Sequence, residues 1–280
     1  MINIKTTPQK NKGASLIELM VGLAIGLLTV AVAMGALMSS RNVTSSVQDS
    51  TLMQQQASYV FRNIGQQFRQ AGSLRLNLAT NKAATDAISF DDPVGFDLKT
   101  STFDPKVDVI GGIKKGTTNS YFIHIGYQNY KELYHTNENN DTESIFRDCL
   151  GQQSNNDLII SEYLFENNEL LCRGSSAATP QSLARNVADF KIKYIKQSFS
   201  NGETQLQYIK PEDFDEPWSS IRGIEVCLVV FGDEIIETTA DAKYEGCDDE
   251  VKYSDLTGTR RNKVHKKYIS TYQLRSVGLI

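Results

Sequence analysis

The chain of 280 residues carries a formal net charge of −4, and that length accommodates one sizeable domain or two small ones. Residues 1–13 contribute only Lys5, Lys10 and Lys12, so without them the charge moves from −4 to −7. A surface this mildly acidic excludes broad, nonspecific attraction to nucleic acid.

The first element in the chain is the most informative. A short basic leader ends at Gly13, followed by Ala14-Ser15-Leu16-Ile17-Glu18 and an apolar run, 19–38, with no charged residue. Gly22, Gly26, Gly35 and Thr29 interrupt it. At about 1.5 Å per helical residue the run spans a hydrocarbon core of roughly 30 Å. An acid at the mouth of such a segment is costly, on the order of 2.5–3.5 kcal/mol at the bilayer centre and less near its edge. Glu18 therefore requires a partner. Cleavage after Gly13 would supply one, because Ala14 then carries a free α-amine that can neutralise the Glu18 carboxylate of an adjoining subunit.

Gly13-Ala14-Ser15-Leu16-Ile17-Glu18-Leu19-Met20-Val21 resembles the class III signal of type IV prepilins. The resemblance implies that a prepilin peptidase cuts between Gly13 and Ala14, that Ala14 is N-methylated, and that Glu18 guides subunit docking. Ala14 departs from the commoner Phe at the first mature position. An ordinary secretory signal peptide would instead use Ala31-Val32-Ala33 as its cleavage site. Its apolar segment would be shorter than this one, and it would lack Glu18. A plain signal anchor is the other alternative.

The flanks set an expected topology. Three lysines precede the apolar run and only Arg41 follows closely, which places the leader in the cytoplasm and the remainder in the periplasm. Cys149, Cys172, Cys227 and Cys247 all fall on the exterior side, where an even count reads as two disulfides. Three pairings exist on paper. Joining neighbours, Cys149 to Cys172 and Cys227 to Cys247, is the simplest, each closure stabilising by roughly 3 kcal/mol. No Cys-x-x-Cys spacing favours zinc.

Beyond the apolar run, Val47, Met53, Ala57, Val60, Ile64 and Phe68 recur at mostly helical spacings, with Gln48, Gln54, Gln55, Arg62 and Gln66 on the other faces. The helix is expected to cover 14–71, about 58 residues or roughly 87 Å, with Ala71-Gly72-Ser73 as its stop. Gly22, Gly26, Gly35 and Gly65 are the points where it could loosen. Residues 77–119 read as loops with one or two strands, the apolar pieces being 87–90 and 107–113.

The remainder reads as strands. These are 121–127, a hairpin of 158–165 and 170–173 about the turn Glu166-Asn167-Asn168-Glu169, then 187–195, 224–231 and 267–275. Residues 187–195 alternate as a half-buried strand. Residues 224–231 are apolar on both faces and so belong in the sheet centre. Residues 236–263 read as a long acidic loop held by Cys247. The expected architecture is α+β and type IV pilin-like: a leader at 1–13, a helix at 14–71 whose apolar part is about 16–38, and a periplasmic β-rich head at 72–280, with the helix packed on its antiparallel sheet.

The downstream half resembles the PilW-type minor pilins through Cys149-Leu150-Gly151, Leu171-Cys172-Arg173-Gly174, the run from Asn186 to Tyr194, and the closing strand. That resemblance implies a low-abundance subunit priming assembly near the tip of a type IV pilus. Its partners would be other minor pilins, the major pilin, the prepilin peptidase and the inner-membrane assembly platform, with inner-membrane lipid around the helix before assembly. The chain is also similar to the J-type minor pseudopilin of type II secretion, and a tip adhesin or DNA-capturing subunit is the further alternative.

No catalytic constellation is legible, and neither a cofactor nor a metal is expected. His124, His135 and His265 are scattered, with no H-E-x-x-H, G-x-S-x-G or P-loop motif. Asp91-Asp92 and Asp248-Asp249-Glu250 lack the EF-hand pattern and read as solvated acidic loops rather than calcium ligands. Arg260, Arg261, Lys263, Lys266 and Lys267 read as a solvated basic approach to the last strand. Tyr127 and Tyr130 could form an adhesive surface, with core or hairpin packing as the default.

Overall fold

The computed structural model describes residues 13–77, 94–96, 103–113, 122–133, 142–177, 179–200, 202–239 and 241–274. The leader lysines, residues 87–90, Asp91-Asp92, Tyr121, His135 and Arg275 lie outside them. The chain forms two compact units, Met1–Asp49 and Ser50–Ile280. A single helix, α1 (Leu16–Gln70), runs through both, and antiparallel strands follow, giving the expected α+β class.

The strands are β1 (Leu76–Asn77), β2 (Gly95–Phe96), β3 (Ile110–Gly112), β4 (Ile123–Gln128), β5 (Lys131–Leu133), β6 (Thr142–Ser144), β7 (Leu158–Glu166) and β8 (Glu169–Gly174). They continue as β9 (Gln181–Ala184), β10 (Val187–Ser200), β11 (Glu203–Ile209), β12 (Ile221–Ile235), β13 (Lys243–Glu245), β14 (Glu250–Lys252) and β15 (Lys263–Gln273). One sheet has the order β3-β4-β7-β8-β9 and a second the order β11-β10-β12-β15.

In the larger unit the helical spacing converts directly into a core. Met53, Ala57, Val60, Ile64, Phe68 and Ala71 are all buried and share one apolar cluster with residues of both sheets. A period of three and four residues places them on one stripe, which is why Gln54, Gln55 and Arg62 do not join them. The helix stops where Gly72 takes a φ of 68°, a left-handed conformation that glycine adopts without a Cβ penalty. Gly65 does not loosen α1. It lets the Tyr272 ring close onto the helix, where an added Cβ would meet Cε1 at 2.6 Å.

Polar side chains also join helix to sheet. Asn63 donates to the Cys149 carbonyl at 2.8 Å and accepts from the Tyr163 hydroxyl at 2.8 Å. One turn on, Gln67 donates to the Arg147 carbonyl at 3.2 Å and accepts from Tyr127 and Ser161 at 2.9 Å each. Tyr272 of β15 donates to the Phe61 carbonyl at 2.7 Å. Tyr127 is fully buried, so it belongs to the core and not to an adhesive surface.

The β7–β8 hairpin turns through Asn167 and Asn168, with φ values of 51° and 63°. Positive φ at both central positions gives the backbone twist that a two-residue hairpin needs. Strand β12 lies between β10 and β15. Ile224, Val226, Leu228 and Val230 face the main core, while Cys227, Val229 and Phe231 face a second cluster with Ala188 and Cys247. Both of its faces are covered, as continuous apolarity requires.

What covers the second face differs from the expected loop. Residues 236–262 contain the β13–β14 hairpin and two short 3-10 turns at Tyr253–Asp255 and Gly258–Arg260. The segment is attached by the Cys227–Cys247 disulfide, while a second disulfide joins Cys149 to Cys172. Asp189 accepts from the Cys247 amide at 3.2 Å, and Arg260 donates to the Ala188 carbonyl at 3.0 Å. The His265 ring stacks on Tyr244 with centroids 4.0 Å apart.

Candidate assembly site

The smaller unit holds the residues singled out at the N-terminus. Leu16 opens the helix, so Ser15 stands at the N-cap and Glu18 at the third helical position. The two side chains close a reciprocal box. The Ser15 hydroxyl accepts from the Glu18 amide at 3.3 Å, and the Glu18 carboxylate accepts from the Ser15 amide at 3.1 Å. The hydroxyl of Ser15 also donates to that carboxylate at 3.4 Å. Two otherwise orphaned N–H groups are thereby satisfied, and a negative charge rests at the positive end of the helix dipole.

Among the described residues, nothing covers this box. Gly13, Ala14, Ser15 and Glu18 are exposed. The apolar side chains that follow remain more than half exposed, Leu19 at 61%, Leu23 at 58% and Leu27 at 67%. Leu19, Gly22, Leu23, Gly26, Leu27 and Val30 border a shallow apolar groove, and a Cβ added at Gly22 or Gly26 would touch nothing within 4 Å. The hydroxyl of Thr29 donates to the Gly26 carbonyl at 2.8 Å, and that of Thr44 to the Ser40 carbonyl at 2.8 Å. Thr29, the one hydroxyl residue of the run 19–38, is thus satisfied within the helix, as a lipid or protein surround demands. The segment is long and apolar enough to cross a membrane, and none of it is buried within the chain.

The other sequence candidates separate. On β4, His124 lies against Gly111, where an added Cβ would come within 2.1 Å of its ring. Burial lowers its pKa, with Glu162 and Asp108 pulling the other way. His265 sits in the second cluster on β15, its Nδ1 donating to the Lys263 carbonyl at 2.9 Å, and burial pulls its pKa down to about 4. Asp248 pairs with Lys210 at 3.5 Å and Glu250 with Lys243 at 2.9 Å. Among the described residues no cluster of three or more metal-ligating side chains forms.

The basic run disperses because strand alternation sends neighbours to opposite faces. Lys263 lies over the Phe231 ring at 5.8 Å, Lys266 bonds to the Ser50 hydroxyl, and Arg260 is held by Ala188. The sequence reading missed the Ser15–Glu18 box, although the S-x-x-E spacing is visible. It also missed Asn63 and Gln67, which look like surface residues of an amphipathic helix until the sheet is in place.

Residues 8–34 match the family model described as the prokaryotic N-terminal methylation motif. A comparison with curated proteins found no match. Among solved structures, the chain is similar to a type IV-like pilin from Thermus thermophilus at 11% identity, covering 55% of this chain and 78% of that one. The TM-score is 0.26, too low to add to the fold described above. A prokaryotic N-terminal methylation motif over residues 8–34 thus runs into a long apolar helix that antiparallel sheets follow.

Proposed function

We propose that this chain is a minor pilin that primes assembly of a type IV pilus, at or near its tip. The methylation motif over residues 8–34 supports prepilin processing, with Gly13, Ala14 and Glu18 exposed at the start of the apolar helix; the minor, tip-located role follows from the resemblance of the downstream half to PilW-type minor pilins. Prepilin peptidase cuts between Gly13 and Ala14 and methylates the new amine. The leader faces the cytoplasm, and the head, 72–280, stands in the periplasm with both disulfides. The helix rests in inner-membrane lipid until the assembly platform extracts it, and the head then reaches the cell surface on the filament. The partners are other minor pilins and the major pilin.

Glu18 is the pivot of this mechanism. In the isolated chain its carboxylate is engaged by Ser15, which lowers the cost of holding it beside lipid. The amine of an adjoining subunit supplies a full positive charge in a water-poor helix bundle, a stronger partner than a hydroxyl and an amide. Assembly exchanges one for the other. The test is Glu18→Ala, which is expected to be cut at Gly13 normally but to be depleted from sheared filaments. Incorporation at the wild-type level would overturn the pairing.

A further inference from the structure

The ribbon formed by β10 and β11 outgrows its sheet. Pairing of β10 with β12 ends at Lys196↔Ile221, whereas pairing with β11 continues through Gln197↔Leu206 and Phe199↔Thr204 to Ser200↔Glu203. Past Lys196 the ribbon is two-stranded, an arrangement of marginal stability unless a face is covered. Directly opposed residues share a face and side chains alternate. Phe199, Leu206 and Tyr208 therefore stand on the face that carries Ile195, and they are 75%, 58% and 49% exposed. The opposite face presents Ser198, Gln205 and Gln207. Gln197 and Thr204 share this face, opposite Leu206 and Phe199, so the exposed apolar side chains meet diagonally across the ribbon and along β11. Exposed apolar groups gathered on one face of an otherwise polar element mark an interaction surface.

The backbone of β11 is as open as its side chains. It is the last strand of its sheet, and among the described residues no strand pairs with its outer edge. Proteins commonly guard such edges with lysine, proline or a bulge. Strand β15, at the other edge of this sheet, carries Lys263, Lys266 and Lys267. Strand β11 reads Glu-Thr-Gln-Leu-Gln-Tyr-Ile with none of these guards, and its pairing with β10 has no register shift.

We propose that β11 docks edge to edge on β11 of a second copy of this chain, antiparallel and centred on Leu206. The strand is close to self-complementary about that residue. Thr204 falls opposite Tyr208, Gln205 opposite Gln207, and Leu206 opposite its own copy. Both apolar stripes then meet on one face of a continuous sheet. The one charge of the strand, Glu203, falls opposite Ile209 and next to Lys210, never opposite another Glu203. A slip by one residue would set Leu206 against Gln205 and mix the apolar and polar faces, which disfavours it. The contact is isologous and closes as a dimer. It involves the head alone and holds whether or not the chain is cut at Gly13.

Cysteine scanning of the full-length chain in detergent tests the pairing and its register. All four described native cysteines are in disulfides, so an added thiol is the reactive one. Directly opposed residues have Cα atoms about 4.5–5.5 Å apart, within disulfide reach. Leu206→Cys is expected to give a covalent dimer on mild oxidation. Thr204→Cys alone is expected to stay monomeric, since its copies lie roughly 14 Å apart along the strand. Mixed Thr204→Cys and Tyr208→Cys chains are expected to link. These positions are exposed, and near-ultraviolet circular dichroism would check the fold of each variant. A monomeric Leu206→Cys chain, or equal linking of Leu206→Cys and Thr204→Cys, would overturn the proposal. In producing cells, linkage to a polypeptide of different mass in place of the self-dimer would do so too. Glu18→Ala is expected to leave the cross-link intact, which separates this test from that of filament assembly.

Discussion

The Tyr127 hydroxyl donates to Gln67 Oε1 at 2.9 Å, joining the end of β4 to the last turn of α1. Both residues are buried, and the same amide oxygen accepts from Ser161. One glutamine thereby fixes the rotation of the helix against the five-stranded sheet. Gln67→Ala takes the acceptor from the buried Ser161 hydroxyl and one of two donors from the Arg147 carbonyl, which keeps the Tyr127 hydroxyl at 2.8 Å. The expected cost is about 1–3 kcal/mol, read as a lower urea midpoint with unchanged slope. Tyr127→Phe removes the hydroxyl from Gln67 and from the Arg147 carbonyl, but Ser161 and Gln67 Nε2 still serve those two acceptors, so it is expected to cost less.

A second contact rests on a missing side chain. The Asp148 carboxylate accepts from the Leu150 and Gln152 amides at 2.9 and 3.0 Å through Oδ1. Its Oδ2 lies where a Cβ on Gly174 would come within 1.9 Å. Gly174→Ala is expected to destabilise by about 2 kcal/mol or more, since the aspartate is held by the turn and cannot swing away. Adding Asp148→Ala to Gly174→Ala should cost less than the two single changes together. Additive costs in a double-mutant cycle would count against the clash.

Acid should act on the second cluster through His265. Burial holds its folded pKa at about 4, below the ordinary 6.5, and Arg260 adds to that effect. The unfolded chain therefore takes up a proton that the folded chain refuses. The His265 contribution is complete above pH 6.5 and declines as the pH falls toward 4, by about 1.4 kcal/mol per pH unit within that window. His265→Phe keeps a ring against Tyr244 and cannot titrate. The stability gap between wild type and variant is expected to shift in the variant's favour from pH 7 to pH 4; parallel profiles in urea titrations would refute this.

The Cys227–Cys247 bridge attaches the covering segment 236–262 to β12. Closure of a loop with sequence separation 20 stabilises by roughly 3 kcal/mol in the chain-entropy model. Replacing both cysteines by alanine is expected to speed amide exchange across residues 243–256 before the rest of the head. Uniform acceleration throughout the head would show instead that the segment does not open on its own.

The long helix, the central position of 224–231 and the Asn167-Asn168 hairpin were all legible, because each is written in local periodicity or turn chemistry. Met53, Ala57, Val60, Ile64 and Phe68 announce their stripe without knowledge of what covers it. The content of 236–262 was not legible. Its short strands and turns are held by a disulfide, a Tyr244–His265 stack and the Arg260 bond, all of which depend on partners distant in sequence. Strand β11 escaped for a related reason: six exposed residues and a half-buried Ile209 present no core-facing alternation. At the N-terminus the S-x-x-E spacing encodes the Ser15–Glu18 box locally, and it becomes legible once the helix start is set at Leu16.

The mass of the N-terminal peptide from protein made in a host with its own prepilin peptidase tests the central claim most directly. A first residue of N-methylated Ala14 is the predicted result. A chain starting at Met34, after Ala31-Val32-Ala33, or one still carrying Met1, would contradict it and remove the basis for assembly through Glu18.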